Sequence, residues 1–221
     1  MDRQEVIGAI ELGRLIAIVR GAGIDKALRV ADALQKGGVN LIEFTFDQKS
    51  PASFPDNGRM IEAVAREFAG RMLVGAGTVT SPQLVDIAAD AGAGYIISPN
   101  TNERVIARTL ERGLVSIPGA LTPSEILTAH EAGADFVKLF PVASMGVNYV
   151  REVKAPLSHV KFLAVGGISL ENAADFMALG ISGVGVAAKL VNKQWVEDGE
   201  YDRITAAAQR FAALVRREES V

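Results

Sequence analysis

An ammonium group inside an apolar run is the first feature that could do chemistry. Residues 135–141 read DFVKLFP, with Lys138 flanked by side chains typical of a buried strand. Burying an ammonium without a partner is costly, and a lowered pKa that leaves the amine neutral relieves the cost. A neutral lysine amine condenses with a carbonyl to form a Schiff base. In LIEFTF, Glu43 is the one carboxylate of a second apolar run. It could pair with Lys138 as a buried ion pair, or it could move protons beside it.

Other groups could hold an anion. Arg20 closes IAIVR, and its planar fork suits a carboxylate or a phosphate, with a loop-facing surface arginine as the alternative. In AVGGIS, Gly166 and Gly167 let backbone amides approach an anion, and Ser169 is fit to cap a following helix. Gly75-Ala76-Gly77-Thr78 makes a similar turn, and Asn100 and Gly119 are further candidates to line a site. Lys161 falls at the opposite end of its strand and reads as a surface residue. Lys189 reads as an exposed helical residue, with an approach to phosphate as the alternative.

Positioning these groups requires strands and helices in alternation. Short β-branched runs predict strands at residues 15–20, 41–46, 72–76, 95–98, 114–118, 136–140, 160–165 and 183–187. Amphipathic runs predict helices at 24–35, 58–68, 103–112, 148–153, 169–179 and 201–216. Ser81-Pro82 opens another as N-cap and first-turn proline, and Thr122-Pro123-Ser124-Glu125 opens one running to about residue 132 with a capping box. Residues 49–57 read as a longer loop. Eight strand–helix units imply an α/β fold, a single (β/α)8 TIM barrel spanning residues 1–221 as one domain. In such a barrel functional groups collect at the C-terminal ends of strands. Arg20, Glu43, Thr78, Ser98 and Lys138 stand there.

Composition narrows the function classes. The chain has no cysteine and two histidines, which argues against thiolate metal sites and a Ser-His-Asp hydrolase. A net charge of −3 without blocks of like charge offers no basic footprint for nucleic acid or membrane, so a small-molecule partner is expected. The start lacks an apolar core of signal-peptide length, and no apolar run reaches membrane-span length, so a cytoplasmic protein is expected.

Together, IEFTF, VGAGTV, ISPN, IPGALTPSE, VKLFP, VGGIS and EDGEYDRIT resemble the class I 2-keto-3-deoxy-6-phosphogluconate and 2-keto-3-deoxy-6-phosphogalactonate aldolases over nearly the whole chain. The resemblance implies Lys138 as the Schiff-base lysine, Glu43 as acid and base, and Thr78 against the pyruvyl part. It also implies Gly166 and Gly167 at a phosphate, a keto acid substrate yielding pyruvate and an aldehyde, no metal or other cofactor, and a homotrimer. Three positions depart from the family pattern. Asp47 stands where the gluconate branch has a carboxylate-binding arginine, Val165 where a threonine often precedes GGI, and Ala187 or Ala188 where a serine often follows strand eight. Arg20 resembles the first-strand arginine of the galactonate branch and is the expected substitute for the missing arginine. An isomerase or epimerase using Glu43 as base, and a catalytically silent ligand-binding barrel, are the alternatives.

Overall fold

The computed structural model describes residues 1–215. A short helix, α1 (Arg3–Gly13), precedes the first strand, β1 (Leu15–Val19), and is followed by α2 (Ile24–Lys36) and β2 (Leu41–Thr45). Next come α3 (Phe54–Glu67), β3 (Leu73–Gly77), α4 (Pro82–Asp90), β4 (Tyr95–Ile97) and α5 (Glu103–Glu111). The strands β5 (Val115–Ile117) and β6 (Gly119–Ala120) lead to α6 (Pro123–Glu131), β7 (Val137–Leu139) and α7 (Gly146–Lys154). The chain continues through β8 (Phe162–Val165), α8 (Ala173–Ala178), β9 (Gly183–Val186), α9 (Lys193–Asp198) and α10 (Tyr201–Val215).

All the strands pair in parallel, in the order β5-β4-β3-β2-β1-β9-β8-β7-β6. The two ends of that order, β5 and β6, are consecutive in the chain and separated only by Pro118. The strand predicted at 114–118 ends at Ile117 and pairs with β4, while a two-residue strand just beyond its predicted end, β6, pairs with β7, which brings the ring round on itself. Proline has no backbone N–H to give a ladder, which accounts for the break at that residue. The expected eight-stranded barrel is present.

Alternation along each strand separates two cores. Leu15, Ala17 and Val19 of β1 pack outward with the helices, while Ile16 and Ile18 join Tyr95, Ile117, Phe136 and Leu163 inside the ring. Val6, Ile7 and Ile10 of α1 belong to the inner cluster, so this helix is packed against the barrel interior. Its start carries a full capping box between Asp2 and Glu5, and no helix was expected there. A helix α9 was also not expected, and residues 51–53 form a 3-10 turn running into α3 where a loop was predicted.

Two cap assignments need correction. Ser81 stands at the N-cap of α4 but its side chain makes no capping bond, whereas Thr122 and Glu125 form the predicted box on α6. The helix expected from Ser169 begins instead at Ala173, because Asn172 braces the preceding turn. Its Oδ1 accepts from the Ser169 N–H at 2.9 Å and its Nδ2 donates to the Gly167 carbonyl at 3.0 Å. The terminal helix follows the expected course to Val215, with predicted residue 216 outside the described residues.

Candidate active site

Strand alternation decides which side chains enter the barrel. Ile42 and Phe44 belong to the outer cluster, so Glu43 between them points inward, and Val137 and Leu139 do the same for Lys138. Both charged residues are buried, Glu43 at 1 % and Lys138 at 7 % exposure. They line one small void of about 10 Å³ with Ile16, Ile18, Ile97 and Ile117. Two opposite ionisable groups thus meet in an apolar shaft.

They do not form the buried ion pair that the sequence left open as an alternative. Each feels the other's charge, yet among the described residues Glu43 Oε2 is buried without a hydrogen-bond partner and Lys138 makes no salt bridge. Burial pushes the Glu43 carboxyl up to about 7, with Lys138 and then Arg20 opposing the rise. Burial also lowers the Lys138 pKa, against the pull of Glu43 and with the help of Arg20. Both shifts favour the uncharged forms, an amine with a free lone pair beside a carboxyl able to hold a proton. Lys138 Nζ lies 4.6 Å from the centre of the Phe140 ring. That ring supplies an apolar wall beside the amine.

Above this shaft a cavity of about 220 Å³ contains Arg20, Lys138, Phe140, Gly166, Gly167 and Lys189 in its lining. It brings two cations, Arg20 and Lys189, to the Lys138 amine with no acidic residue in its wall. Arg20 follows β1 directly and is near enough to bias both buried groups. Gly166 and Gly167 have φ of 94° and 78°, in the left-handed region that glycine tolerates. They are also crowded: a Cβ at Gly166 would stand 3.0 Å from the Phe140 ring, and one at Gly167 would be 2.6 Å from Ala143. Backbone bonds from Val142 to Val165 and from Ala143 to Gly166, each 3.0 Å, fasten the double-glycine turn to the chain that leaves the lysine strand.

Lys189 is the residue that sequence reading underrated. It lies in the turn after β9, exposed but lining the same cavity as Lys138 and Arg20, not on the expected helix. Its position at a strand end was visible; the early end of β9 at Val186 was not. Lys161 behaves as expected, pairing with Glu11 at 2.8 Å away from this cavity. Thr78 stands just after β3 with a φ of 57°, and its carbonyl accepts from Gln48 at 3.0 Å; it is not in the lining of either cavity that Lys138 shares. Asp47 is exposed and its carboxylate accepts from the Lys49 N–H at 3.0 Å. Asn100 is exposed as well, while a Cβ at Gly119 would stand 2.5 Å from the Pro99 backbone, so close packing explains that glycine.

A buried amine, a proton-holding carboxyl and a cationic mouth form a set suited to imine chemistry on an anionic carbonyl compound. Among the described residues no helix is long and apolar enough to cross a membrane. Comparison with known proteins agrees with this chemistry. Residues 6–207 match the family model described as KDPG and KHG aldolase. The chain is 36 % identical over 203 residues to the 2-dehydro-3-deoxy-6-phosphogalactonate aldolase of Escherichia coli K12, covering 91 % of this chain and 93 % of that one. It is 34 % identical over 203 residues to the 2-dehydro-3-deoxy-phosphogluconate aldolase of Dickeya dadantii, covering 91 % and 92 %. A solved native KDPGal structure superposes with a TM-score of 0.80 at 35 % identity, covering 90 % of this chain and 93 % of that one.

Proposed function

The chain belongs to the KDPG and KHG aldolase family, and on that premise we propose that it cleaves a 2-keto-3-deoxy-6-phospho sugar acid reversibly to pyruvate and glyceraldehyde 3-phosphate, with Lys138 as the Schiff-base amine. The observation that carries the assignment is the inward-facing, buried Lys138, with no ion pair among the described residues, sharing an apolar void with Glu43.

In the cleavage direction the neutral Lys138 amine attacks the C2 ketone to give a carbinolamine. Glu43, able to carry a proton near neutral pH, delivers it to the departing hydroxyl, and water leaves as the iminium forms. The resulting carboxylate takes the proton of the C4 hydroxyl. The C3–C4 bonding electrons flow into the iminium, releasing the aldehyde and leaving an enamine. Glu43 returns a proton to C3, and hydrolysis of the imine frees pyruvate and Lys138. The protonated imine is the electron sink, so these steps use only groups of this chain.

Arg20 is our candidate for the substrate carboxylate, since Asp47 carries the wrong charge where the gluconate branch has arginine. Gly166 and Gly167 offer backbone amides to the phosphate, and Thr78 is assigned to the pyruvyl part from the resemblance alone. The galactonate configuration is the first to test, because of Arg20. We further read the protein as a cytoplasmic homotrimer acting as one barrel domain.

Incubation with pyruvate and borohydride tests the central assignment. A stable adduct mapped to Lys138 and absent from Lys138→Ala is expected. Turnover by a protein that borohydride and pyruvate leave unmodified would overturn the aldolase mechanism in favour of an isomerase using Glu43 as base. Ligand binding with no pyruvate release would favour a silent barrel.

A further inference from the structure

The chain's two histidines lie far apart in sequence and side by side in space. His130 is in the last turn of α6, ahead of β7, and His159 is in the turn between α7 and β8. Their ring centres are 4.9 Å apart, with 70° between the planes. Because β7 and β8 are paired neighbours, the two rings bridge the segments that feed the lysine strand and the strand of the double-glycine turn. Both stand ahead of these strands, at the end of the barrel opposite to the one where Arg20 and the glycine turn open, and no step of the reaction uses them.

Each ring is carried on a held backbone. Ala129 beside His130 is fully buried, and the His130 carbonyl accepts from the Gly133 N–H at 2.9 Å. Leu157 and Val160 are buried on either side of His159 and are joined by a 3.0 Å bond from the Val160 N–H to the Leu157 carbonyl. The rings themselves stay within reach of solvent, His159 exposed and His130 half-buried.

Their spacing matches that of two ligands on one ion. With metal–nitrogen bonds of about 2.0–2.1 Å, two imidazoles on a tetrahedral ion hold their ring centres about 5 Å apart. An imidazole carries its nitrogens on the ring edge, and a half-turn about Cβ–Cγ exchanges nitrogen and carbon positions, so each ring can turn a nitrogen to a common point. A dication there is also favoured by the C-terminal end of α6, the negative pole of that helix. Imidazole donors suit zinc, copper and nickel, whereas magnesium and calcium take oxygen. Among the described residues no group of three or more His, Cys, Asp or Glu is placed to hold a metal, so water completes the shell and the ion exchanges.

We propose that His130 and His159 bind one exchangeable Zn²⁺ ion, which clips the entry of β7 to the entry of β8 and stabilises this side of the barrel without taking part in the aldol chemistry. The unfolded chain does not hold the two rings together, so stability rises with ion concentration.

The test uses the untagged full chain, freed of metal with a chelator. Calorimetric titration should find one Zn²⁺ per chain, and at about a hundredfold excess over the measured Kd the melting temperature should rise by about 5–10 °C. His130→Gln and His159→Gln should each weaken binding about tenfold or more and remove most of that rise. With Cu²⁺ in place of Zn²⁺, the electron paramagnetic resonance spectrum of the parent should show coupling to two imidazole nitrogens, a readout that decides even if a variant fails to fold. Trapping of pyruvate by borohydride should be the same with and without Zn²⁺. The proposal is overturned if no Zn²⁺ binds, if either variant binds it as the parent does, or if copper couples to fewer than two imidazoles; the pair is then an edge-to-face ring contact only. It is equally overturned if Zn²⁺ blocks pyruvate trapping, which would place the ion at Glu43 and Lys138.

Discussion

A Cβ at residue 77 would lie 2.5 Å from Glu43 Oε1, so Gly77 of β3 leaves the space that the Glu43 carboxylate occupies. Its neighbour two residues back does the same for Tyr95, whose ring would come within 2.1 Å of a Cβ at Gly75. That ring is fixed by a 2.7 Å bond from its hydroxyl to the carbonyl of Ile42, the residue before Glu43. Gly77→Ala should therefore push the carboxylate out of place before it disturbs anything else. We expect kcat to fall about 10²-fold, the scale of losing a well-placed proton-transfer group, with stability lowered by about 1–3 kcal/mol from overpacking. Steady-state kinetics beside thermal melts check this; a normal kcat would show that Glu43 tolerates displacement.

Glu43 also sets a pH dependence whose sign can be worked out. Its pKa of about 7 in the folded chain lies above the ordinary 4.5, so between these values the native state keeps a proton that the unfolded chain has released. Stability consequently falls as pH rises through that window, by up to about 3 kcal/mol in all. The lowered Lys138 acts with the opposite sign in the window below its ordinary 10.5, since there the unfolded chain holds the extra proton. Glu43→Gln should flatten the melting-temperature profile between about pH 4.5 and 7, keep slow adduct formation with pyruvate, and lose most turnover, about 10²–10⁴-fold. An unchanged profile would mean that Glu43 titrates normally.

Lys189 is expected to matter for one substrate and not for the other. It lines the cavity of Lys138 without a salt bridge among the described residues, and the nearby Glu171 is held first by Ser169 and only weakly by Lys189. Lys189→Ala should raise KM for the phosphorylated keto acid about tenfold, as for the loss of one charge-assisted contact. Trapping of pyruvate by borohydride should be unaffected, because pyruvate lacks the distal anion. An equal loss in both assays would place Lys189 at the carboxylate instead.

Much of this was legible in the chain because two signals coincide. Strand periodicity puts Glu43 and Lys138 on the interior face, between the outward residues Ile42 and Phe44 and between Val137 and Leu139. A charge at an inward position is conspicuous in an apolar run. What the sequence hid depends on distances between strands. Gly75 and Gly77 read as turn glycines, yet their use is the room they leave for Tyr95 and Glu43, side chains from other strands. Lys189 could be placed at a strand end but not aimed, since the turn after β9 decides its direction. The helix α1 was missed although Asp2 and Glu5 spell its capping box, because its buried face of Val6, Ile7 and Ile10 is short and makes sense only against the barrel interior.

That helix supplies a prediction away from the site. Arg3 grips Asp135 with two bonds, Nη2 to Oδ1 at 2.7 Å and Nε to Oδ2 at 3.1 Å, and Asp135 Oδ2 also accepts the Ser116 N–H at 2.9 Å. The pair ties α1 to the residues that lead into β7, the strand of Lys138, and Asp135 is nearly buried with 7 % of its side chain exposed. Arg3→Ala leaves that carboxylate with a single backbone donor, which should cost about 1–3 kcal/mol. For a domain of this size each kcal/mol lowers the melting temperature by about 2–4 °C. Arg3→Lys, which keeps the charge but loses the fork, should fall between the two. Below the melting transition kcat should remain within about twofold of the parent, because β7 is also held by its ladders to β6 and β8 and Lys138 lies three residues beyond Asp135. A fall in kcat without a fall in melting temperature would instead make the Arg3–Asp135 pair a positioning device for Lys138, and the borohydride trapping rate would then fall with it.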